Sequence, residues 1–182
     1  MKKFFTIPGY GNSSNDHWQS YFESQLDNCI RINQNSWTQP ILEDWIHKID
    51  DAIPKKDLSY AILITHSLGG IALIHWAKKF KRKIKGALIV DPPDLEIPYE
   101  DLKLESFTPI PLDKLLFPST LVCSSNDNWT SIDRSFEFAK SWGSKIIALE
   151  NAGHINQDSG HKKWDDGLEI LKELTKKTYK NA

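Results

Sequence analysis

Tyr60-Ala61-Ile62-Leu63-Ile64-Thr65-His66-Ser67-Leu68-Gly69-Gly70-Ile71-Ala72-Leu73 is the stretch whose reading decides the fold. Its first half is a continuous apolar run, as expected of a strand buried on both faces in a parallel sheet. A helix-forming segment, Ile71 to Ala77, follows at once. Ser67 therefore falls on a strand-to-helix turn, where small residues two positions either side let the strand and helix approach closely and hold the serine in a strained conformation. Gly69 meets that need on the far side, but Thr65 stands on the near side, so the G-x-S-x-G form is met only as Thr65-His66-Ser67-Leu68-Gly69. A loop serine capping a helix is the better reading of a lone S-x-G. Strand, turn, double glycine and helix together favour a nucleophile.

Outward from this turn, short apolar runs alternate with longer amphipathic segments, the pattern of parallel strands joined by helical crossovers. Strands are expected at Lys3 to Ile7, Cys29 to Asn33, Tyr60 to Thr65, Gly86 to Asp91, Ser119 to Ser124 and Lys145 to Leu149. Helices are expected near Asp16 to Leu26, Ile41 to Ala52, Gly69 to Phe80, Ile132 to Trp142 and Lys162 to Lys177. Pro92 to Pro118 is proline-rich, acidic and without period, and reads as a long irregular connection. No repeat or linker divides the chain, so one domain over residues 1–182 is expected. Lys172 to Lys180 reads as the solvated face of a last helix and a frayed tail.

Composition narrows the function. The 23 basic and 24 acidic side chains nearly balance, which leaves no field of one sign to attract nucleic acid or an anionic membrane. The opening Met1-Lys2-Lys3-Phe4-Phe5 starts like a signal peptide, but its apolar run stops at Pro8-Gly9, so the mature chain is expected to begin at its start and to span no membrane. Cys29 and Cys123 lie in apolar runs without C-x-x-C spacing and are expected to be buried free thiols, which suits a cytoplasmic protein.

A serine nucleophile needs an imidazole base, and six histidines compete for the role. His66 is expected to point away from the serine, His75 and His47 fall inside helices, and His17 begins one. His154 lies in the small-residue loop Glu150-Asn151-Ala152-Gly153-His154 after the last strand, at the end of the sheet where ligands bind, and is the best base. The acid belongs on a loop between nucleophile and base. Asp127 is preferred over Asp91 because its loop neighbours that of His154 in chain order. The backbone N–H of Leu68 is one expected oxyanion donor, at the start of the helix. Tyr10 N–H, in the glycine-rich loop Pro8-Gly9-Tyr10-Gly11, is the other.

With these positions named, the chain resembles the small serine-hydrolase family that includes retinoblastoma-binding protein 9 and the bacterial YdeN-type proteins. The matching features are Pro8-Gly9 followed by Asp16-His17-Trp18, His66-Ser67-Leu68-Gly69, Ser125-Asn126-Asp127-Asn128 and Ala152-Gly153-His154, in order along nearly the whole chain. The resemblance implies a minimal three-layer α/β-hydrolase fold without a large cap domain. Its sheet would have six mostly parallel strands in the order 2-1-3-4-5-6, with helices on both faces. A Ser67, Asp127 and His154 triad is implied as well, and His17 and Trp18 are expected beside the substrate. Thr65 departs from the glycine of many relatives.

The reaction expected is acyl transfer from an ester or similar small-molecule carbonyl to water, without metal or organic cofactor. Trp129, two residues after the proposed acid, is expected to line the acyl pocket. The rival is a protein-binding module on an inactive hydrolase scaffold, for which the seven tryptophans are thin support because such residues are usually core. A metal site from His154, Asp158 and His161 matches no H-E-x-x-H type helix, and the intervening Ser159-Gly160 breaks the helix.

Overall fold

The computed structural model describes residues 1–97, 99 and 101–177, so the part of the expected polar tail beyond residue 177 lies outside the described residues. Its strands are β1 (Lys3–Ile7), β2 (Cys29–Arg31), β3 (Ala61–His66), β4 (Gly86–Val90), β5 (Ser119–Ser124) and β6 (Lys145–Leu149). The helices are α1 (Trp18–Gln25), α2 (Leu42–Ala52), α3 (Leu68–Phe80), α4 (Ile132–Trp142) and α5 (Asp165–Lys177). They build one six-stranded sheet in the order β2-β1-β3-β4-β5-β6, every neighbouring pair parallel. Every strand therefore ends on the same edge, and the loops that follow β1, β3, β4, β5 and β6 gather there.

The period-two alternation of strand side chains sorts the core into two layers. Phe5, Ile7, Leu63, Ala87 and Ile89 face one side, where they pack with Trp45 and Ile49 of α2, Ile71 and Trp76 of α3, and Phe138 and Trp142 of α4. Phe4, Ile62, Ile64, Leu88 and Val90 face the other, against Trp18 and Phe22 of α1 and Leu168 and Leu171 of α5. Helices on both faces explain why the central strands read as unbroken apolar runs.

Several boundaries differ from the sequence expectation. Tyr60 belongs to a 3-10 turn, Lys55–Tyr60, and β3 runs one residue further, through His66. β2 stops at Arg31, whose guanidinium turns to Glu23, Ser13 and Ser20. Cys29, on this edge strand, is partly exposed rather than buried, whereas Cys123 in β5 is buried, and both are free thiols. α1 starts two residues late, since the His17 side chain caps it by accepting Gln19 N–H. The Pro92 to Pro118 connection carries only a 3-10 turn, Glu105–Phe107, among its described residues. Among the described residues no helix is long and apolar enough to cross a membrane.

Candidate active site

Ser67 holds φ 52° and ψ −129° between β3 and α3 and makes no capping bond to the helix. That positive φ is a strained setting for a residue with a Cβ. It persists because the surroundings dictate it. Ser67 N–H donates to Val90 O at 2.9 Å and Gly70 N–H to Ser67 O at 2.8 Å, while Gly69 presses on the end of β1, where a Cβ would stand 2.2 Å from Ile7 O. Thr65 is buried here, its Oγ1 donating to Leu88 O at 3.5 Å and lying 3.4 Å from where a Cβ on Gly70 would stand.

The loop after β1 lies against this turn. A Cβ on Gly9 would meet Ser67 Cβ at 2.8 Å and Leu68 N at 3.3 Å, so the backbone at Gly9 and Tyr10 runs beside the first N–H of α3. The loop is held by Gly11 N–H to Trp37 O (2.9 Å) and Asn12 N–H to Gly9 O (3.2 Å). Buried Gln19 ties it to the sheet: its Nε2 donates to Ile7 O (3.2 Å) and Ile64 O (3.1 Å), and its Oε1 accepts from Ser13 Oγ (2.7 Å).

His154 Nδ1–H donates to both carboxylate oxygens of Asp127 at 3.0 Å, which leaves Nε2 as the acceptor nitrogen. Asp127 Oδ1 also accepts Trp129 N–H at 3.0 Å, and its side chain is only 1% exposed. The loop bearing His154 is gripped by the polar run that ends β5. Ser124 Oγ accepts Ala152 N–H (3.0 Å), Ser125 Oγ accepts Asn151 N–H (3.0 Å), and Asn126 Oδ1 accepts Gly153 N–H (2.8 Å). These grips bring the residue at 154 to the one at 127.

Ser67 and His154 line one cavity of about 330 Å³. Tyr10, Leu68, His17 and Trp129 line it too. Trp18 does not: it is fully buried in the core, with Nε1 donating to Ile155 O at 2.7 Å. The first turn of α1 points its ring at the sheet and only its neighbour His17 reaches the cavity. His66 corrects the expectation that it turns away. Its ring lies between those of His17 and His154, 4.8 Å from each, and its Nε2–H donates to His154 O at 2.9 Å. Sequence reasoning missed His66, Gln19 and Asn126. The Ser-Ser-Asn run directly before Asp127 was the available signal for the last.

Burial sets the charge of these rings. It pushes His66 well below the ordinary imidazole range, helped by His154 and His17. It takes His17 down to about 3, helped by Arg31, His154 and His161. Both rings stay neutral when folded but bind a proton when unfolded below about pH 6.5. The unfolded state therefore holds more protons as pH falls below 6.5, and the stability that these rings contribute, complete above that value, is lost toward pH 3. Between pH 7 and pH 5 the expected loss from His17 is about 2 kcal/mol, and His66 adds a loss of the same sign. His17→Asn keeps an acceptor for Gln19 N–H, which His17 Nδ1 now accepts at 3.1 Å, and removes the titration. Urea unfolding at the two pH values should show a smaller loss in this variant; an equal loss would refute the assignment.

Asp91, Asp127 and His154 are the only group of three potential metal ligands that converges among the described residues. His161 turns instead to Ser159 Oγ (3.3 Å) and to the Trp164 ring (5.8 Å). His154 Nδ1 already donates to Asp127, so a metal ion held between that nitrogen and Asp127 would have to displace this hydrogen bond.

The family model described as serine hydrolase matches residues 4–173. The chain belongs to the serine hydrolase family. Among its relatives is the ydeN gene product of Bacillus subtilis (strain 168), 23% identical over 171 residues, which cover 87% of this chain and 88% of the relative. Its solved structure superposes with a TM-score of 0.79, covering 96% of this chain and 98% of that one at 19% identity. A YdeN-like protein from Pectobacterium atrosepticum is 28% identical, covers 98% of this serine hydrolase and 92% of its own chain, and has a TM-score of 0.83. The fold is shared more widely: carboxylesterase CesB of Bacillus subtilis matches at a TM-score of 0.65 and 13% identity, over 95% of this chain and 83% of its own.

Proposed function

We propose that this serine hydrolase cleaves esters or similar small acyl substrates through an acyl-enzyme formed on Ser67. The observation that carries the reading is the strained Ser67 turn facing the same cavity as a His154 ring whose other nitrogen is fixed by Asp127 at 3.0 Å. Ser67 Oγ attacks the carbonyl carbon while His154 Nε2 takes its proton, and the oxyanion accepts from the N–H groups of Leu68 and Tyr10. Collapse expels the alcohol, which takes the proton back from His154. Water then attacks the acyl-enzyme with His154 as base again, and Ser67 is restored.

The two walls of the cavity differ. Pro93, Leu95, Leu102, Leu104 and Trp129 give an apolar wall, whereas Asn156, Gln157 and Asp158 follow His154 in its own loop. The leaving group must depart on the side of the imidazole that protonates it, so the polar wall takes the alcohol and the apolar wall the acyl chain. No Lys or Arg lines the cavity among the described residues, which disfavours an anionic alcohol. A fluorophosphonate probe and a panel of p-nitrophenyl esters of rising chain length test this reading. Labelling should vanish in Ser67→Ala, and short to medium acyl chains should turn over fastest. Equal labelling of the variant would refute it.

A further inference from the structure

Behind the imidazole lies a second carboxyl group that the acyl-transfer steps do not use. Asp91 follows β4, is 1% exposed, and holds φ 41°, a region that side chains rarely enter. Its Oδ1 accepts Ser124 N–H at 3.1 Å, but its Oδ2 is buried without a donor. One oxygen of Asp91, one of Asp127 and a ring nitrogen of His154 lie within 4.8 Å of one another. Two carboxyl groups this close in a site shielded from water do not both ionise.

Their hydrogen bonds decide which of them keeps the proton. Asp127 accepts from the His154 ring and from Trp129 N–H. Asp91 accepts from Ser124 N–H alone. The charge therefore settles on Asp127, where more donors stabilise it. Burial and the neighbouring Asp127 charge together push the Asp91 carboxyl well above the usual range. The titratable groups around it are Asp127 and His154 on the adjacent loops and Cys123 of β5, whose thiol burial pushes up to about 11. Burial, with the Asp94 and Asp127 charges, pushes the Tyr99 hydroxyl of the connection up to about 12.

We propose that Asp91 is a positioning residue: a neutral carboxylic acid whose Oδ2 hydroxyl donates toward Asp127, directly or through one water, and holds that carboxylate in line with His154 Nδ1. The proposal rests on the acyl-transfer reading of Ser67, His154 and Asp127. Acting as a donor, Asp91 leaves a single negative charge behind the imidazole and supplies the donor that its own orphaned oxygen lacks as a carboxylate.

Two substitutions and one spectroscopic measurement test it. Asp91→Asn keeps an oxygen for Ser124 N–H and an N–H for Asp127, whereas Asp91→Leu keeps the bulk and loses both. The rate of fluorophosphonate labelling should fall between about tenfold and about a hundredfold in Asp91→Leu, and Asp91→Asn should restore it to within about threefold of the native rate. At neutral pH the infrared spectrum of the native protein should contain a protonated-carboxyl C=O band that Asp91→Asn removes. That band keeps the proposal testable even where Asp91→Leu does not fold. Absence of the band, or an Asp91→Asn rate as low as that of Asp91→Leu, overturns the proposal, as does a stoichiometric divalent metal ion that Asp91→Asn releases. Native protein that resists the probe while showing the band would instead sink the acyl-transfer reading and leave Asp91 protonated.

Discussion

Ser67→Ala is expected to lower kcat on an activated ester by a factor of ~10⁴–10⁶ while leaving the melting temperature nearly unchanged. The size of the loss follows from the role proposed for the hydroxyl: without it no acyl-enzyme would form, and only the oxyanion donors and binding would remain to help water attack directly. His154→Ala should cost as much, because an alcohol without its base is a weak nucleophile at neutral pH. The two losses should not add, and the double variant should be no slower than either single one. Asp127→Asn should cost less, about 10³–10⁴, since the ring is still held near the serine but in a poorer tautomer. The strained φ of 52° at Ser67 gives alanine no advantage over serine, as both carry a Cβ. Stopped-flow and steady-state hydrolysis of p-nitrophenyl acetate measure these values. A Ser67→Ala variant within tenfold of the native kcat would remove Ser67 from the chemistry.

The largest expected effect on stability falls on Gly69. A methyl group there would stand 2.2 Å from Ile7 O and 2.6 Å from Pro8 O, both main-chain atoms at the end of a central strand. Neither oxygen can swing aside as a side-chain tip would, so α3 must lift from β1 along its first turn. Gly69→Ala should therefore cost about 3–5 kcal/mol in urea unfolding. Gly11→Ala is the control, because Gly11 carries a positive φ of 76°, which Gly69 does not, but has nothing within 4 Å of where its Cβ would be. It should cost only about 1 kcal/mol, the penalty of a positive φ alone. A Gly69→Ala loss no larger than that of Gly11→Ala would show that the close contact yields easily.

The sheet was legible because burial on both faces writes itself into local sequence as unbroken apolar runs such as Ile62-Leu63-Ile64 and Ala87-Leu88-Ile89-Val90. Edge strands were less so: β2 is partly exposed and shorter than its apolar run implied. His66 was misread because the direction of a side chain beside a residue at φ 52° depends on how the turn is bent, which periodicity does not encode. Trp18 was misread for a related reason. One step along a helix rotates a side chain by about 100°, enough to send its ring into the core while His17 reaches the cavity.

What the sequence by itself determined is the order of strands and helices and the turn at Ser67, since both rest on spacing within a few residues. Only the tertiary structure decided that Asp91 would lie beside Asp127 and that Ser124 and Asn126 would grip the loop before His154. Those contacts join segments separated by up to tens of residues, and which donor meets which acceptor there is set by the packing of strands whose pairing no single segment specifies.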